Sequence, residues 1–124
     1  MDEQQVIEDA RVILRQIEED APELSELAKE LGLYLYGPIM AAGPSPSPDE
    51  LKRQYAEAME TKPREFAELI GKRGEKHKGP AYKTRVFKCL EDFENCRKHG
   101  GVSANVCLAL MILCIGQQLI PFTK

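Results

Sequence analysis

The sequence has no tryptophan, only two histidines, and no apolar run longer than the stretch from Val106 to Ile115. Each shortage removes a class of function. His77 and His99 are the only side chains whose ordinary titration falls near neutrality, so general acid–base work has few groups to draw on. There is no His-Glu-x-x-His, no Gly-x-Ser-x-Gly and no dinucleotide-type glycine pattern, which leaves zinc peptidase, serine hydrolase and Rossmann chemistry without a sequence basis. The run from Val106 to Ile115 falls well short of the roughly 20 residues needed to cross a bilayer, so it reads as a buried helix and no membrane span is expected. The opening MDEQQVIEDARVIL is acidic and polar where a secretory signal would be basic and then apolar. The expected location is therefore cytoplasmic.

What is present is enough apolar material for one core. A chain of 124 residues with 43% apolar side chains builds a single domain, residues 1–124. The 17 bases and 20 acids leave a net charge of −3, which argues against a surface that grips nucleic acid everywhere. Charge is distributed unevenly. Residues 1–30 hold ten acids and three bases, whereas Lys72, Arg73, Lys76, Lys78, Lys83, Arg85 and Lys88 face only Glu75 between Gly71 and Lys88.

The hydrophobic period is helical almost throughout. Val6, Ile7, Ala10, Ile13, Leu14 and Ile17 form one stripe of a first helix. Pro22 starts a second, with Leu24, Leu27, Ala28 and Leu31 as its apolar side and Gly32 as its stop. Leu33 to Met40 reads as irregular, and Gly43 to Pro48 as a proline-rich linker or loop. Ser47-Pro48-Asp49-Glu50 is a capping box that opens a third helix running to about Glu60. Pro63 marks a short fourth helix that ends at Gly71. Residues 71–80, GKRGEKHKGP, read as a basic glycine-rich loop. A fifth helix spans Ala81 to Lys98 and stops at Gly100-Gly101, and Ser103 caps a sixth that is apolar all round. The expectation is an all-α, single-domain bundle of five to six helices around the apolar C-terminal helix, with helices five and six as an antiparallel hairpin.

All four cysteines fall in those last two helices. Across a hairpin, residues whose numbers share a constant sum face each other, which sets Cys96 opposite Cys107 and Cys89 opposite Cys114. Three chemistries fit such facing pairs. In a reducing cytosol the thiols stay free and act as small core residues, the reading that follows from the expected location. Two disulfides are the second. The third is a thiol or metal cluster of Asp92, Cys96 and His99, at i, i+4 and i+7 on one face, with Cys107 across the hairpin.

The paired cysteines resemble, in outline, the twin-cysteine helical hairpins of the coiled-coil-helix-coiled-coil-helix type, in which two disulfides bolt two helices together. Here six residues separate the members of each pair, where that family has three or nine. The resemblance covers about 30 residues and implies bridges between Cys96 and Cys107 and between Cys89 and Cys114.

No motif calls for a cofactor and no catalytic residue is assigned; were there an enzyme here, Cys96 and His99 would be the pair to mutate. The sequence reads instead as a helical protein–protein interaction or regulatory module that binds another protein or a second copy of itself. Its candidate contacts are Tyr34 and Tyr36, which supply aromatic anchors, and the basic positions Lys72, Arg73, Lys76, Lys78, Lys83 and Arg85. Those bases also support an alternative, nucleic-acid or phosphate binding through residues 72–88. A cysteine-based redox or metal protein is the second alternative.

Overall fold

The computed structural model describes residues 2–37 and 47–119, without the side chains of residues 77, 78, 118 and 119. Among these residues the chain is helical, with no strand: α1 (Glu3–Asp20), a 3-10 turn (Pro22–Leu24), α2 (Ser25–Tyr34), α3 (Pro48–Lys78), α4 (Pro80–His99) and α5 (Ala104–Leu119). The helices pack against one another around a core that every one of them enters. No helix among the described residues is long and apolar enough to cross a membrane.

Helix starts follow local chemistry. The Asp2 carboxylate accepts from the backbone N–H groups of Gln4 and Gln5 at 3.1 and 3.3 Å, satisfying donors that a helix leaves open. Ser47 does the same for Glu50 at 3.2 Å, with Pro48 in the first turn. The buried side of α1 is Ile7, Ala10, Leu14 and Ile17, spaced as a 3.6-residue period requires. α5 brings Val106, Cys107, Leu108, Ala109, Met111, Ile112 and Ile115 into the core and packs mainly on α1 and α4. It is not enclosed on every side, since Leu110, Leu113 and Cys114 are only half-buried.

Three sequence expectations change here. Gly32 does not stop α2, which continues to Tyr34; the left-handed glycine beyond it is Gly37, at φ 102°. The third and fourth helices are one, because α3 runs through Pro63. Proline there gives up one backbone hydrogen bond, to the carbonyl of Met59, and burial of Met59, Phe66, Ala67 and Ile70 on either side offsets the loss. The basic segment at 71–80 is not a loop, since α3 continues to Lys78 and only Gly79, at φ 85°, separates it from α4. Its glycines serve contact instead of flexibility. A β-carbon on Gly74 would lie 1.8 Å from the Tyr82 ring, and one on Gly71 would lie 3.2 Å from Lys83 Cγ, so the bare backbone lets α3 and α4 close on each other. Finally, the proline-rich linker at 43–48 and the end of the Leu33 to Met40 segment fall largely outside the described residues.

Candidate functional site

The cysteines come first because they decide what chemistry is available. Cys89 is joined to Cys114 and Cys96 to Cys107, and at each bridge the α-carbons stand 5.8 Å apart. This corrects the free-thiol reading. Disulfides form when α-carbons approach within about 4.4–6.8 Å, and helices packed at the usual axis separation of about 8–10 Å reach that where two α-carbons face inward. The thiol or metal cluster is corrected with it, because Cys96 and Cys107 are spent on each other. Among the described residues no group of three or more histidine, cysteine, aspartate or glutamate side chains converges on a metal position. Asp92 and His99 are exposed, and His99 stands with Arg97 and Lys98 in the last turn of α4, where cations complement the helix dipole.

The basic residues are divided by the fold. Arg73 reaches back to the N-terminal elements, donating to Glu23 at 2.8 Å and to the backbone carbonyl of Asp20 at 2.9 Å. It thereby satisfies a carbonyl at the end of α1 and pairs with an acid of the following turn. The Glu23 carboxyl is held below its ordinary value, first by its own backbone N–H and then by Arg73. Lys83 lies 3.8 Å from Glu75 and 5.9 Å from the centre of the Phe87 ring. Lys72, Lys76 and Arg85 are exposed. Lys78 has no described side chain.

The two tyrosines also part company. Tyr34 is half-buried against Tyr55, ring centres 5.7 Å apart, and its carbonyl accepts from the Tyr55 hydroxyl at 3.2 Å. Burial pushes the Tyr55 hydroxyl up to about 12. Nearby, the Asn105 side-chain amide donates to the Leu35 carbonyl at 3.0 Å, tying the start of α5 to the end of α2. Tyr34 is thus part of the scaffold. Tyr36 is 55% exposed, and Leu33, three residues before it, is 56% exposed.

Leu33 and Tyr36 border an open groove of about 340 Å³ between α1 and α2, lined also by Arg11, Leu14, Arg15, Glu18, Lys29 and Gly32. Arg11, Arg15 and Glu18 recur at i, i+4 and i+7, so they share one face of α1. Arg11 donates to the Tyr36 hydroxyl at 3.4 Å, its guanidinium 6.0 Å from the ring centre, and so spans the groove's edge. Neither Arg15 nor Lys29 makes an ion pair among the described residues, whereas Arg53, Lys62, Arg64, Arg73 and Lys83 all do. The sequence reading missed this site apart from Tyr36. A signal was there: the three bases among the ten acids of residues 1–30 are Arg11, Arg15 and Lys29, and all three line the groove. No protein-family model, curated protein or solved structure matches this chain.

Proposed function

We propose that this protein is a helical interaction module that binds another protein through the α1–α2 face and works cross-linked, in an oxidising compartment in place of the cytoplasm suggested by its opening residues. The observation that carries the reading is the groove: Leu33 and Tyr36 stand more than half exposed at its border, beside cations with no ion pair, and among the described residues Val12 is the only other large apolar side chain exposed to that degree. Scattered exposed apolar residues are ordinary, but an apolar surface rimmed by charge is the anatomy of a contact site. In this reading α4 and α5 act as an antiparallel hairpin bolted at two levels, a rigid back that leaves α1 and α2 free to present the contact face. Disulfides persist where the surroundings are oxidising, which supports the compartment.

A photo-reactive benzoylphenylalanine in place of Tyr36 tests the module. One cross-linked partner, which then binds as purified protein and loses affinity at least tenfold against Leu33→Asp, supports it. No cross-link, or one that Leu33→Asp leaves unchanged, rejects it.

A further inference from the structure

Glycine inside a helix costs about 1 kcal/mol relative to alanine, so a helical glycine calls for a reason. Gly74 and Gly116 have one. A β-carbon on Gly74 would strike the Tyr82 ring, and one on Gly116 would come within 2.5 Å of Ile13 Cδ1, where α1 and α5 meet. Gly32 has no such reason. It lies within α2, its φ is not left-handed, and the nearest atom to a β-carbon built there is Leu14 Cδ1 at 4.0 Å. The fold has room for a side chain at this position, and the space that side chain would take is the groove.

Resting on the interaction-module reading, we infer that the α1–α2 groove is the seat of an acidic, apolar segment of a partner protein: a large apolar side chain lies over Gly32 and Leu14, and its neighbouring carboxylates meet Arg15 and Lys29. Charge complementarity selects the occupant. Three bases against Glu18 leave the lining cationic, and two of those bases are unpaired among the described residues. The exposed Leu33 side chain and the bare backbone at Gly32, with the buried Leu14 beneath them, ask for an apolar group that a bare phosphate backbone does not bring. A second copy docked about a two-fold axis would set the same cations against each other. An acidic amphipathic turn satisfies both requirements at once, in the helix-in-groove manner.

The test pans a random displayed peptide library on the oxidised 124-residue chain, with no selection against the groove variants, on which the enriched peptides are measured afterwards. The expected result is enrichment of peptides that place aspartate or glutamate within one helical turn of leucine, methionine or phenylalanine. Their affinity should fall at least tenfold on Gly32→Leu and on the double variant Arg15→Gln, Lys29→Gln, and should weaken with salt. Gly32→Ala, which adds only a methyl group, serves as the folding control and should melt above the parent. If Gly32→Leu does not fold, the surface double variant decides. Enrichment of neutral or basic peptides, peptides that bind both groove variants as well as the parent, or no enrichment would overturn the inference. So would a concentration-dependent dimer that Gly32→Leu abolishes, which would put a second copy in the groove. A partner cross-linked at position 36 that still binds Gly32→Leu leaves the interaction module standing and removes only the groove.

Discussion

Gly74 lies against the ring of Tyr82, so close that a β-carbon on the glycine would come within 2 Å of two ring carbons, at 1.8 and 1.9 Å. The ring is fully buried and Gly74 sits within α3, so neither can move away cheaply. Gly74→Ala is therefore expected to destabilise the protein by about 1–3 kcal/mol or more, through forced separation of α3 and α4. Gly32→Ala should do the opposite and stabilise by about 0.5–1 kcal/mol. Urea unfolding of the two variants beside the parent checks the pair, and equal shifts of one sign would contradict this packing.

The disulfides give a prediction that needs no mutation. The intact mass of the untreated protein should lie four hydrogens below the mass of the reduced chain, one pair lost at each bridge. Removing either bridge by paired alanine substitution should cost about 3 kcal/mol in the loop-entropy account. Alkylation of all four cysteines without prior reduction would refute both bridges.

Alkali should unfold the protein through two tyrosines. Burial pushes Tyr55 and Tyr82 from the ordinary value of 10 up to about 12, so each favours its neutral form in the fold. The unfolded chain releases these protons first, so the stability they contribute is complete below pH 10 and is lost between about pH 10 and 12. Tyrosinate absorbance of the parent against Tyr55→Phe and Tyr82→Phe should assign the late-ionising groups and show their appearance together with loss of helix.

Arg73 should tie residues 20–23 to α3 in a pH-dependent way. Arg73→Ala is expected to lower stability by less than Gly74→Ala, since the pair with Glu23 is exposed. Arg73→Lys should recover only part of that loss, because an ammonium does not reproduce the fork that spans Glu23 and the Asp20 carbonyl. Glu23 titrates below 4.5 in the fold, so its contribution is present above that pH and is lost as pH falls through the lowered value. The stability gap between the parent and Arg73→Ala should therefore narrow as pH falls, leaving at low pH the share that comes from the bond to the Asp20 carbonyl.

Much of this architecture is legible in local patterns. The Ile7, Ala10, Leu14, Ile17 stripe and the Ser47 cap are matters of a few neighbouring residues, and there the reading and the structure coincide. The misplaced helix ends share one cause. Pro63, Gly71 and Gly74 each carry an intrinsic preference for breaking helices, but what overrides it is tertiary: a buried stripe on both sides of the proline, the Lys83 side chain against Gly71 and the Tyr82 ring against Gly74. The groove was hidden for the same reason, since nothing local says that residues 11 and 15 stand across from 29 and 32. The free-thiol reading followed from an inferred compartment and not from geometry.

The placement of the four half-cystines within two helices also bears on how the correct bridges are reached. Four cysteines allow three pairings. One of them joins Cys89 to Cys96 and Cys107 to Cys114, but partners seven apart along a helix are separated by about 10 Å, beyond the reach of a sulfur–sulfur bond. Once α4 and α5 coil, that isomer is forbidden outright, and the remaining wrong one, Cys89 to Cys107 with Cys96 to Cys114, asks for lengthwise shifts of about two turns in opposite directions, which one pair of helices cannot make together. Secondary structure thus edits the covalent outcome before the core has closed.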